Sequence, residues 1–100
     1  MFLNKIIKVM QLSEHQQRLW CNMVSAIEDF RKGKIQYTTL VYELESSLDA
    51  AEFNCESIIG EWYDHWTPLE TLAATIGDIA TIEDADQYLL AMNTFLKSKL

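Results

Sequence analysis

A single proline, Pro68, and three glycines serve the whole 100-residue chain. So few turn formers exclude a sandwich or barrel of many short strands and argue for long helices. Cysteine is scarce as well. Cys21 and Cys55 stand alone, with no CxxC spacing and no matched histidines, which excludes a thiolate metal knuckle. Both are expected on apolar faces, as reduced core residues. No apolar run approaches the roughly twenty residues of a membrane span. The opening MFLNKIIKVMQL is interrupted by Lys5 and Lys8 and lacks a small-residue cleavage site, so it does not read as a signal peptide. A cytoplasmic location is the expectation. What the chain does hold is apolar side chains, 49% of its residues, enough to fill one core in one domain spanning 1–100.

Capping residues and apolar spacing divide that domain into helices. Ser13 and Gln16 form an S-x-x-Q capping box, and Leu19, Trp20, Met23, Val24, Ile27 and Phe30 recur at helical spacing behind it. Arg31 and Lys32 suit the negative end of that helix, and Gly33 suits the residue just past it. A second helix follows Thr38 or Thr39, with Leu40, Val41, Leu44, Leu48 and Ala51 along one side. A third carries Cys55, Ile58, Ile59, Trp62 and Trp66. Thr67 then reads as an N-cap, Pro68 as a first helical residue and Glu70 as the residue reaching back, opening a short helix that Gly77 ends. Thr81, followed by Glu83, Asp84 and Asp86, opens the last helix, which finishes in Lys97 and Lys99. The predicted fold is an all-α compact bundle of about five helices, 14–32, 39–52, 55–66, 68–76 and 82–98. A short N-terminal helix or arm over 3–11 precedes them.

Catalytic chemistry finds little footing in this pattern. His65 lies four residues after Glu61 and next to Asp64, but the Glu-x-x-His of di-iron bundles needs a spacing of three. Position 64 is Asp, and Glu14 is followed at that distance by Gln17. H-E-x-x-H, a glycine-rich phosphate loop and a G-x-S-x-G elbow are all missing. No catalytic residue, metal or cofactor is expected. His65 reads as a rim histidine beside a solvated acid, and the tryptophans as core.

The charge distribution is more informative. No lysine or arginine occurs between Ile35 and Leu96. Of fifteen acids only Glu14, Glu28 and Asp29 fall outside that interval, so it holds twelve carboxylates against no cation. Helix-start charge explains Glu70, Glu83, Asp84 and Asp86. It does not explain Glu43, Glu45, Asp49, Glu52, Glu56, Glu61 and Asp64, whose mutual repulsion opposes compaction. On the second helix Tyr42, Ser46 and Asp49 lie opposite Leu44, and Phe53 continues their line. On the third, Glu56 and Asp64 point away from Ile58 and Trp62, with Tyr63 at the boundary. Exposed rings among acids suit an interface in which rings supply contact area and carboxylates steer a basic partner. The structural alternative packs Tyr42 and Phe53 under the N-terminal arm. Nucleic acid is disfavoured as a partner, because phosphates require a basic footprint.

The stretch LVYELESSLDA (40–50) and the pattern formed by Trp66, Leu69, Glu70 and Ala74 resemble a group of small acidic helical bacterial proteins. That group includes immunity proteins, which protect a bacterium from a secreted toxin. The colicin-type nuclease immunity proteins, acidic four-helix domains that bind basic nucleases, are the analogue. Their Tyr-Tyr-Pro motif is absent, since Tyr63 is followed by Asp64, and none of their binding residues carries over. The resemblance implies an immunity protein or inhibitor directed at a basic toxin, with a nuclease as the expected class. Tyr42, Glu45, Asp49, Glu56, Tyr63 and Asp64 are the candidate partner-binding residues. The alternative is a helical adaptor or regulatory module, possible as a homo-oligomer, that recognises protein through apolar surface.

Overall fold

The computed structural model describes residues 12–100, so the arm expected over 3–11 lies outside the described residues. Four long helices account for most of what is described: α1 (Glu14–Arg31), α2 (Tyr37–Ala50), α3 (Glu56–Ile76) and α4 (Ile82–Ser98). A single 3-10 turn, Gly77–Ile79, joins the last two. In the bundle α1 packs on α2 and α4, and α3 packs on the same two neighbours, so the helices form a ring. Across its diagonal α1 and α3 meet through side chains. The Trp62 indole Nε1 donates to Met23 Sδ over 3.4 Å, and both residues are wholly buried.

Helix starts follow the capping signals at both ends of the chain. Ser13 Oγ accepts from the Gln16 backbone N–H while the Gln16 side chain accepts from the Ser13 N–H, completing the expected box. Thr81 and Asp84 repeat this arrangement at α4. Each such cap is worth about 1 kcal/mol. Gly33 and Gly77 take positive φ, 74° and 61°, just beyond α1 and α3, where a Cβ would be strained. Arg31 closes the ring by donating from Nη1 to Asp86 Oδ1 at 3.0 Å, tying the end of α1 to the start of α4.

Two expected helices, 55–66 and 68–76, are one. Helix α3 runs through Pro68, so Thr67 is no N-cap and Glu70 no reaching-back residue. An interior proline removes the donor for the Asp64 carbonyl and costs roughly 3 kcal/mol. Apolar phase outweighs it. Trp62, Trp66, Leu69, Ala73 and Ile76 follow at alternating steps of four and three, one unbroken stripe through the proline. Trp62 and Leu69 are fully buried, and each such side chain contributes about 2 kcal/mol. A break at Thr67 would turn Leu69 and Ile76 away from the core. The Asp64 carbonyl belongs to an exposed residue, where water can replace the missing donor.

The second helix begins at Tyr37, ahead of the Thr38 or Thr39 start, and ends at Ala50. Its cap is tertiary. Asp78 Oδ1 accepts both the Thr38 N–H at 2.8 Å and the Thr38 hydroxyl at 2.7 Å. These bonds hold the Asp78 carboxyl below its usual range. At the other end His15 Nε2 donates to the Ala50 carbonyl, and Gln16 Nε2 to that of Ala51, covering carbonyls the helix leaves open.

The cysteines depart from expectation as well. Both are free, but Cys21 is exposed, one position past Trp20 and so about 100° round α1 from the stripe. Cys55 is half-buried at the N-cap of α3. Phe53 does not extend an exposed line. Its ring packs 5.5 Å from that of Trp20 and is half-buried. Trp20, Trp62 and, in part, Trp66 fill the core as expected.

Candidate functional site: an acidic edge between the second and third helices

Helices α2 and α3 run antiparallel, joined by residues 51–55, and their contact line is held by two aromatic donors. Trp66 Nε1 donates to the Val41 carbonyl at 3.1 Å. One turn nearer the connection, the Tyr63 hydroxyl donates to Glu45 Oε2 at 3.1 Å. The Tyr63 ring stands edge-on to both Trp62 and Trp66, which stack on each other with centroids 5.9 Å apart. Tyr63 is thereby fixed from both sides, with its oxygen at the surface beside a carboxylate.

Other carboxylates gather around that point. Asp49 lies one turn beyond Glu45 on the same side of α2 and acts on Tyr63 through its charge. The Tyr63 phenol is pushed above its ordinary range by partial burial first, then by the Glu45 bond and the charges of Glu45 and Asp49. Tyr42, three residues before Glu45, faces the same way with 72% of its surface exposed. Glu56 precedes Tyr63 by seven residues, two turns along one side of α3. Of the six residues expected from sequence, Glu45, Asp49 and Tyr63 meet here, and helix spacing turns Tyr42 and Glu56 to the same side. Asp64 is turned away. It follows Tyr63 by one residue, about 100° round the helix, on the exposed outer face with Glu61.

Glu52 lies exposed in the connection between α2 and α3. Its backbone φ is +50°, the one positive value at a non-glycine among the described residues. A glutamate there is doubly unfavourable: the left-handed conformation costs about 1 kcal/mol, and its charge, with that of Asp49, meets the negative end of α2. No basic residue occupies the last turn of α2. Helix phase alone missed Glu52, because its significance lies in the α2 exit. The readable signal was the missing glycine after Ala51.

The remaining acids are elsewhere. Glu43 lines a groove with α1, Asp78 caps α2, and Asp86 is paired to Arg31. Of Glu61, Asp64 and His65, only Glu61 and His65 line a common hollow, between α3 and α4. His65 packs on Phe95 with ring centroids 5.1 Å apart, while Asp64 faces out. Among the described residues, no group of three His, Cys, Asp or Glu side chains could hold a metal ion. Among the described residues, no helix is long and apolar enough to cross a membrane. The chain matches no known family model, no curated protein and no solved structure.

Proposed function

We propose that this chain is an immunity-type inhibitor that binds a basic bacterial toxin, of nuclease type, through the α2–α3 edge. One observation carries the reading: Glu45, Asp49 and Tyr63 meet at that edge, and no lysine or arginine occurs anywhere from residue 36 to 95. Glu45 accepts from Tyr63 and Glu56 opens α3, but at Asp49 and Glu52 the fold is weakened by charge at the negative end of α2. A cation-rich target supplies the missing compensation. The uncompensated carboxylates would speed encounter, and the Tyr42 and Tyr63 rings would set the lifetime of the complex. A nuclease cleft built to hold phosphates offers such a target, and occupying it would block the substrate. In this reading the protein works in the cytoplasm, where it would meet the toxin's nuclease activity, as in contact-dependent growth inhibition.

The test is binding of the purified chain to a panel of basic nuclease toxin domains, measured as association and dissociation rates. Raising salt from about 50 to 500 mM should slow association of the cognate pair by tenfold or more. Asp49→Asn with Glu56→Gln should slow association, whereas Tyr42→Ala should speed dissociation. An association rate indifferent to salt and to these acids would overturn the reading.

A further inference from the structure

Of the connections between the four helices, two turn on a glycine at positive φ, Gly33 after α1 and Gly77 after α3. The other, residues 51–55 between α2 and α3, holds neither glycine nor proline and turns on Glu52 at φ +50°. Its own residues do little to end one helix or open the next. No basic side chain occupies the last turn of α2, and Cys55 makes no side-chain cap at the start of α3. The Ala50 and Ala51 carbonyls are covered from α1, by His15 and Gln16. Helix phase, moreover, runs through the break. Leu44, Leu48, Ala51, Cys55, Ile58 and Trp62 follow at alternating steps of four and three, the spacing of one continuous apolar stripe. We propose that α2 and α3 can join as a single helix over 37–76, and that two copies of the chain then exchange halves, α1–α2 of each packing on α3–α4 of the other.

The fold itself selects the partner. Between the two halves α1 meets α4 and α2 meets α3, and a second copy offers each of these contacts again. Trp62 with Met23, Tyr63 with Glu45 and Arg31 with Asp86 reform between chains. Exchange of an identical element is a low-cost route to a dimer, and a short strained hinge favours it. What changes is confined to the hinge. Glu52 leaves the left-handed region, and the Ala50 and Ala51 carbonyls accept from the N–H groups of Asn54 and Cys55. Asp49 and Glu52 no longer face the negative end of a helix. Against this, Phe53 gives up its packing on Trp20, and the hinge acids of two copies come together. The joined helix measures about 60 Å, setting the two bundles at its opposite ends, far beyond a screening length of about 8 Å. The net charge of −7 therefore opposes exchange chiefly where the hinges cross. Glu45 and Tyr63 meet in either form, so this proposal is independent of the toxin reading.

Refolding the full chain from urea at about 0.5 mM, in about 500 mM salt to screen the hinge acids, tests the exchange. Light scattering after size separation should then show a dimer of twice 11.6 kDa beside the monomer. Because exchange requires the halves to separate, the isolated dimer should persist for hours after dilution to about 5 µM. Unfolding and refolding at that lower concentration should return it to monomer. Glu52→Gly suits the turn and disfavours the joined helix, so it should lower the dimer yield by about tenfold or more. Glu52→Ala keeps the turn strained and favours the helix, so it should raise the yield. Thermal melts monitor folding of each variant. A parent chain that stays at 11.6 kDa throughout would overturn the proposal. So would a dimer that dissociates within seconds of dilution, or equal yields from Glu52→Gly and Glu52→Ala.

Discussion

The Tyr63 hydroxyl donates to Glu45 Oε2 at 3.1 Å, across the line where α2 meets α3. This bond stabilises the neutral phenol, and the charge of Glu45 opposes its ionisation, adding to the effect of burial. Glu45→Gln removes the charge but leaves an acceptor and the burial. Tyr63 should then titrate at lower pH than in the parent chain, still above an ordinary tyrosine. Following tyrosinate absorbance against pH, with Tyr63→Phe to assign the signal, measures the shift. An unchanged Tyr63 titration in Glu45→Gln would mean that the two side chains do not meet in solution.

Glu52 supplies a prediction that sets stability against binding. Replacing it with glycine relieves the φ of +50° and removes a carboxylate from the negative end of α2. The Glu52→Gly chain should be more stable by about 1 kcal/mol in urea unfolding, after the extra chain entropy of glycine is set against the relieved strain. If the acidic edge steers a basic toxin, the same variant should associate more slowly while dissociating at an unchanged rate. A variant that is more stable and binds equally fast would leave Glu52 outside the interface.

The legible and illegible parts of this molecule divide along physical lines. Ser13 with Gln16, and Thr81 with Asp84, could be read because both partners of a capping box lie three residues apart. Gly33 and Gly77 were readable as helix ends for the same local reason. The start of α2 was not, because its cap, Asp78, is forty residues away in sequence. Thr38 looked like a capping residue and is instead a capped one. At Pro68 two local signals conflicted: T-P-x-E says a helix begins, whereas the unbroken heptad from Trp62 to Ile76 says one continues. Burial of Leu69 decided the conflict, and local chemistry cannot reveal burial in advance. Glu45, Asp49 and Tyr63 meet because helix phase places them on facing sides of α2 and α3. Asp64, next in sequence to Tyr63, lies about 100° round the same helix.

Tyr37 yields a stability prediction with a defined pH window. Its ring is 1% exposed, its hydroxyl donates to the Leu69 carbonyl at 2.7 Å, and its pKa is pushed up to about 12 by burial and by nearby Tyr88. The folded pKa exceeds the unfolded value near 10, so the folded state resists losing this proton. Stability from this group is complete below about pH 10 and declines as pH rises towards 12. Urea midpoints should therefore fall across that interval in the parent chain and fall less steeply in Tyr37→Phe. At neutral pH Tyr37→Phe should be less stable by about 1 kcal/mol, through loss of the buried hydrogen bond.

Replacement of Pro68 discriminates between one helix and two. Within a continuous α3, proline deprives the Asp64 carbonyl of its donor and crowds the preceding turn. Alanine restores both, although the half-buried ring surrenders some contact and the unfolded chain becomes freer. Pro68→Ala should therefore stabilise the protein by about 1–2 kcal/mol, less than the roughly 3 kcal/mol that separates alanine from proline in an unconstrained helix interior. Amide exchange should show a new protected N–H at residue 68 and slower exchange across Trp66–Thr71. Had a new helix begun at Thr67, proline would occupy the position where its missing N–H is harmless, and alanine would be neutral or destabilising. The sign of the stability change thus reports whether α3 is continuous. The same measurement bears on Trp62 and Trp66, whose stacked rings set Tyr63 against Glu45, because only an unbroken α3 keeps them in phase with Leu69.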